Sequence, residues 1–214
     1  MNIILLGPPG VGKGTQATLL RDHFKLLHVS TGEALRKEKS LGTPLGKEVG
    51  KIMESGGLVS DDIVTRIVIS AISDLGDKKG FMLDGYPRNL AQAELLAKML
   101  AEKSIKIDSV ISIEADKEIV IKRLAGRRSC EKCGKDYNIH FNPPKVAGEC
   151  DVCDGAKLIC RADDTEETHL RRLTEYEDKT EPLKAYYSSK GLLKPVDGMG
   201  TVESVFRDIS EALN

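Results

Sequence analysis

The 214 residues carry a formal charge of −1, with 40% apolar, 30% charged and only 4% aromatic side chains, and no tryptophan. That balance fits a globular chain with an aliphatic core and excludes the strong overall pull that draws a protein to nucleic acid or anionic lipid. No run of about 18 apolar residues occurs, so no membrane span is expected. Ile3–Leu6 is too short for a signal-peptide core, so the expected location is the cytoplasm. There the five cysteines read as metal ligands or free thiols before they read as disulfides.

Short apolar runs at Ile3–Leu6, Leu26–Val29, Phe81–Leu83, Ser109–Ile113 and Leu192–Val196 predict strands. Helical spacing lies between them at Gly14–Phe24, Asn89–Lys103, Asp116–Ala125 and Thr201–Leu213. This alternation predicts an α/β fold with a central five-stranded parallel sheet covered by helices on both faces. Residues 30–73 carry helical patterns with no strand between them, with Ser30-Thr31 and Ser60-Asp61 as caps. Residues 126–164 hold the cysteines and show little periodicity. Both stretches read as excursions from the core. Thr165–Ser188 then reads as one long helix, opened by acidic residues that suit a helix N-terminus.

The first strand runs into Gly7-Pro8-Pro9-Gly10-Val11-Gly12-Lys13, the G-x-x-x-x-G-K pattern of a phosphate-binding loop. Glycines let backbone N–H groups converge on phosphate oxygens, and the next helix points its positive end at the same anion. Gly14 stands where the general pattern expects Ser or Thr, and Thr15 follows one place later. Cys130-x-x-Cys133 and Cys150-x-x-Cys153, 16 residues apart, have the spacing of a closed tetrahedral zinc site. Such a metal supplies folding energy to a segment with no apolar pattern of its own. Cys160 is left without a role. Between residues 117 and 161 ten Lys/Arg face six Asp/Glu, an excess too modest for a nucleic-acid-binding zinc module.

GPPGVGKGT, together with STGEALR (30–36), FMLDGYPR (81–88), GRR (126–128), FNPPKV (141–146) and RADDTEETHLRR (161–172), closely resembles the adenylate kinases, within the nucleoside monophosphate kinases. The match runs from residue 1 to the C-terminus, and the displaced Thr15 is that family's own variant of the loop. The resemblance implies reversible Mg²⁺-dependent transfer from ATP to AMP giving two ADP, in a monomer without nucleic-acid or membrane partners. It implies a core of residues 1–29, 60–125 and 165–214, an AMP-binding excursion at 30–59 and a zinc-binding lid at 126–164. Phosphoryl transfer between two polyanions needs cations around both and water kept out.

The resemblance assigns Lys13, Arg88, Arg127, Arg161 and Arg172 to catalysis. To ATP it assigns Gly10, Val11, Gly12, Lys13, Gly14, Thr15, Arg123, Arg127, Asp136, Tyr137 and Gly200. To AMP it assigns Thr31, Arg36, Met53, Gly57, Leu58, Val59, Gly85, Tyr86, Pro87, Arg88, Gln92, Arg161 and Arg172, with Gln92 as the reader of adenine. Asp84 follows an apolar strand beside the phosphate loop and suits Mg²⁺ held through water. Arg128 reads as an ordinary surface charge. A sister kinase with another base preference (UMP, CMP, GMP, or GTP as donor) remains the alternative. A regulatory GTPase is disfavoured because no N-K-x-D stretch is present.

Overall fold

The computed structural model describes residues 1–55, 59–73, 77–161 and 164–214. Five parallel strands form the central sheet: β1 (Ile3–Leu6), β2 (Leu27–Ser30), β3 (Phe81–Asp84), β4 (Ser109–Glu114) and β8 (Leu193–Asp197), in the order β2-β3-β1-β4-β8. β1 is central, with Ile4 opposite Leu83 on one side and Val110 on the other. Its four residues are all buried, which is why the sequence is continuously apolar there rather than alternating.

Successive residues still serve opposite faces. Ile4, Leu6, Leu83 and Val110 pack with α4 (Asp61–Ser73), α5 (Leu90–Glu102) and α8 (Leu183–Ser188) through Val68, Leu96 and Leu183. Ile3, Leu5, Met82 and Ile111 pack with α1 (Lys13–Phe24) and α9 (Val202–Leu213) through Leu20 and Ile209. The result is the expected three-layer α/β architecture.

Between β2 and β3, α2 (Thr31–Ser40) and α3 (Pro44–Glu54) bury Leu35 and Val49 in the same core as α4. Ser30 Oγ accepts from Glu33 N at 3.3 Å, and Thr43 Oγ1 accepts from Gly46 N at 2.9 Å, with Pro44 in the first turn. These are ordinary helix-start devices. After α6 (Lys117–Ala125) comes a small antiparallel sheet, β5 (Arg127–Cys130), β6 (Asp136–Asn138) and β7 (Leu158–Ile159), in the order β6-β5-β7.

The long helix expected over Thr165–Ser188 is instead interrupted. α7 (Glu166–Glu175) passes into a π turn at Tyr176–Thr180, and α8 restarts after Pro182. Pro182 has no N–H to continue the ladder, and Glu181 N reaches back five residues to Tyr176 O at 2.8 Å. Among the described residues, no helix is long and apolar enough to cross a membrane.

Candidate active site

The loop between β1 and α1 turns on glycines in left-handed backbone. Gly10 has φ 85° and Gly12, the N-cap of α1, has φ 109°. A Cβ on Gly10 would lie 2.5 Å from Leu124 Cγ on α6, whereas a Cβ on Gly12 or Gly14 would meet nothing within 4 Å. The outer face of the loop is therefore an open concavity at a helix N-terminus, the shape and polarity that suit an oxyanion. Lys13 Nζ donates to Gly7 O at 2.6 Å and Pro8 O at 3.0 Å. Burial lowers its pKa to about 8, with Arg88 and Arg127 adding to the effect against the opposing Asp84.

Asp84 ends β3 level with Leu5 of β1 and Ser30 of β2. Burial works against its charge, but His28, Lys13 and Arg88 together hold the carboxyl below its usual range. His28 Nε2 lies 3.4 Å from Asp84 Oδ2. Four residues later, Arg88 Nε donates to Gly85 O at 2.8 Å, and its carbonyl accepts from Thr180 Oγ1 at 2.8 Å. The π turn thus places Thr180 against Arg88. Burial, then the nearby Arg172 and Arg36, lower the Arg88 pKa, while Asp84 raises it.

Carboxylates hold two arginines of residues 126–164, Arg127 and Arg161. Arg127 pairs with Asp164 through both Nε (2.9 Å) and Nη2. Asp164 also lies 3.2 Å from His169 Nε2, and its side chain is 2% exposed. Burial opposes its charge, but His169, Arg127 and Arg161 prevail and hold the carboxyl far below the usual range. Arg161 donates to Asp136 Oδ1 at 2.5 Å and Ser129 Oγ at 2.8 Å. Arg123 Nη1 donates to Val11 O and Gly198 O at 3.1 and 2.8 Å, and its guanidinium lies 5.1 Å from the Phe141 ring centre. Burial lowers its pKa too.

Two cavities meet here. The outer one, about 830 Å³, is lined by Gly10, Val11, Gly12, Lys13, Gly14, Thr15, Arg123, Arg127, Asp136, Tyr137 and Gly200, together with Asp84, His140 and Phe141. All eleven residues expected around ATP are thus brought together. The inner one is lined by Arg36, Met53, Val59, Gly85, Pro87, Arg88, Arg161 and Arg172, with Tyr176 and Thr180. Lys13, Arg36, Arg88, Arg127 and Arg161 line both.

Three residues expected around AMP stand outside that lining. Thr31 is buried and donates to Gly85 O at 2.9 Å, and the buried Tyr86 hydroxyl lies 3.1 Å from Thr65 Oγ1. Gln92 is 2% exposed, its Oε1 accepting from Arg88 N at 2.7 Å and its Nε2 donating to Asp61 at 2.5 Å. Gly57 and Leu58 lie outside the described residues. Sequence reasoning missed Asp164, His169, Ser129, Thr180 and Asp61. Their contacts run mostly to distant parts of the chain, and no local spacing announces them.

The sulfurs of Cys130, Cys133, Cys150 and Cys153 lie within 4.8 Å of one another, with Cys133 and Cys150 3.8 Å apart. Four sulfurs at about 2.3 Å around a tetrahedral ion stand about 3.8 Å apart, so the set fits zinc. Backbone N–H groups of Lys132 and Cys133 point at Cys130 Sγ, and those of Val152 and Cys153 at Cys150 Sγ, at 3.4–3.5 Å, which favours thiolates. Two of the four thiols are pushed in opposite directions. The Tyr137 hydroxyl helps bring Cys150 down to about 6, while hydrogen bonding to Cys133 pushes Cys153 up to about 12. Cys160 is exposed and not part of the cluster.

The family model described as "Adenylate kinase" matches residues 5–192. A curated adenylate kinase of Geobacter sp. (strain M21) is 50% identical over all of this chain and 99% of its own length. Those of Clostridioides difficile (strain 630) and Methanothrix thermoacetophila are each 48% identical, over all of this chain and 98% and 99% of their lengths. With the phosphate loop, the cationic cleft and the four-cysteine cluster in the places described, this chain belongs to the adenylate kinase family.

Proposed function

We propose that the two cavities are the donor and acceptor sites for phosphoryl transfer from ATP to AMP, giving two ADP, with the triphosphate in the outer cavity and AMP in the inner one. The observation that carries this reading is the shared wall: five cations line both cavities, so phosphates entering from either side meet over one positive surface. The attacking group is already an anionic phosphate oxygen, so positioning and charge compensation do the chemistry and no strong base is required.

In this reading the N–H groups at the start of α1 and Lys13 hold the donor phosphates, beside the open space at Gly12 and Gly14. Arg36 and Arg88 hold the AMP phosphate, and Arg127, Arg161 and Arg172 surround the group in transit. Arg123 and Phe141 flank the mouth of the outer cavity. Asp84, kept ionised by its neighbours, holds Mg²⁺ through water, which supplies charge neutralisation on the donor phosphates. The four cysteines hold a structural zinc with no open position. Residues 30–59 form the AMP-binding part and 126–164 the lid, around a core of the remaining segments, in a cytoplasmic monomer.

The test is an ADP-forming coupled assay with ATP, AMP and Mg²⁺, repeated with UMP, CMP and GMP as acceptors and GTP as donor, beside metal analysis of the protein. Rapid ADP formation with ATP and AMP, and about one zinc per chain as four-cysteine sites hold, is the expected result. A faster rate with another acceptor or donor would move the chain to a sister kinase.

A further inference from the structure

We propose that Asp61 is a positioning residue for base selection: it fixes which way round the Gln92 amide faces and so makes the acceptor site read adenine rather than a 6-oxo purine. The inference rests on the reading of Gln92 as the residue that meets the AMP base.

An amide side chain is ambiguous by itself. Turned over, it exchanges a donor for an acceptor at nearly the same positions. Here two groups of fixed character remove the ambiguity. Arg88 N–H can only donate, and it meets Gln92 Oε1 at 2.7 Å. The Asp61 carboxylate meets Gln92 Nε2 at 2.5 Å. Asp61 is itself held from a second side by Asn89 Nδ2, at 3.2 and 3.3 Å from its two oxygens. Asn89 Oδ1 in turn accepts from Gln92 N at 2.8 Å as the cap of α5. The ring of contacts joins the start of α4 to the start of α5 and reaches the inner cavity's wall through Arg88, whose N–H it accepts.

One N–H and one oxygen lone pair of the Gln92 amide are left over. In the fixed orientation they match the N1 acceptor and N6 donor of adenine. Hypoxanthine reverses both, with an N1 donor and an O6 acceptor, so it fits only an inverted amide. Inversion would bring Nε2 against Arg88 N–H and Oε1 against the Asp61 carboxylate.

The experiment compares kcat/KM for AMP with that for IMP, the hypoxanthine nucleotide, in the full chain with ATP and Mg²⁺. Asp61→Ala is expected to raise KM for AMP with a smaller change in kcat, and to lower the AMP/IMP ratio by about tenfold or more, since a site built on hydrogen bonds discriminates through groups left unpaired. Asp61→Asn, which retains a carbonyl but not a fixed one, is expected to give a smaller fall. A helix-stabilising role alone would lower melting temperature and leave the ratio unchanged. A wild-type ratio in Asp61→Ala, or in Asp61→Asn should the alanine variant not fold, overturns the proposal. Gln92→Leu separates the two layers. If it keeps the wild-type ratio, Gln92 does not read the base. If it loses the ratio while the Asp61 variants keep it, only the positioning role fails.

Discussion

Two glycines of one loop should fail in different ways when given a methyl group. Gly10→Ala forces a left-handed residue to carry a Cβ, at about 1–3 kcal/mol, and drives that Cβ to 2.5 Å from Leu124 Cγ. Overpacking of this kind costs a further 1–3 kcal/mol or so, and Leu124 is 1% exposed in its contact with Val120 and Leu173, so little room exists for relief. Gly12→Ala incurs only the backbone term, about 1–3 kcal/mol, because nothing lies within 4 Å. Its methyl group instead occupies the concavity at the N-terminus of α1. Urea unfolding should therefore rank Gly10→Ala as the less stable, by about 1–3 kcal/mol. Gly12→Ala should remain folded while kcat/KM for ATP falls by roughly 10²-fold or more, the scale for disturbing preorganised phosphate contacts. If Gly12→Ala kept wild-type kcat/KM for ATP, the concavity would not be where the donor phosphates sit. If Gly10→Ala were the more stable of the two, the packing argument would be wrong.

Other outcomes follow from the charges. Asp164→Asn should destabilise the protein at neutral pH. The folded carboxyl is depressed, so its contribution is complete above the unfolded pKa of about 4 and disappears as pH falls through the folded value; denaturation profiles of the two proteins should converge in acid. Lys13, lowered to about 8 in the ligand-free site, is charged below that pH and neutral above it. The kcat/KM for ATP should therefore decline as pH rises past about 8, a free-enzyme profile read by initial rates. Chelation of a metal held by the four cysteines should lower the melting temperature and loosen residues 126–164 to proteolysis; an unchanged melting curve in demonstrably zinc-free protein would remove the proposed structural role.

The sheet was legible because parallel strands covered on both faces read as nearly continuous apolar runs, as in Ile3–Leu6, with the buried Ser109 and Ser112 the polar exceptions in β4. Strand ends shifted by a residue where the ladder, not hydropathy, sets them: Leu26 is buried, yet pairing begins at Leu27 opposite Phe81. The small sheet was invisible, because RRSC and DYN are short and largely polar and LI is only two residues long. Its order comes from backbone pairing around the cysteines. Pro182 was in plain view, and its missing N–H marks the interruption after residue 180. The phosphate loop and the cysteine pairs were readable because their chemistry requires fixed local spacing. Asp164, Asp61 and Thr180 act on Arg127, Gln92 and Arg88 across 37, 31 and 92 residues. Nothing in a one-dimensional pattern encodes such partnerships.

β5 begins at Arg127 and ends at Cys130. One short strand therefore joins a cation on the shared wall of the cleft to the first sulfur of the cluster. Arg127 stands two residues past the end of α6, so its backbone stays within about 7 Å of that helix whatever the segment does; the direction of its side chain is set by the pairing of β5 with β6 and β7. Pinning Cys130 at the other end of the same strand would hold that pairing, and with it the direction in which the guanidinium points. A metal lost from those sulfurs would thus cost turnover through the aim of one side chain, before any change in the core.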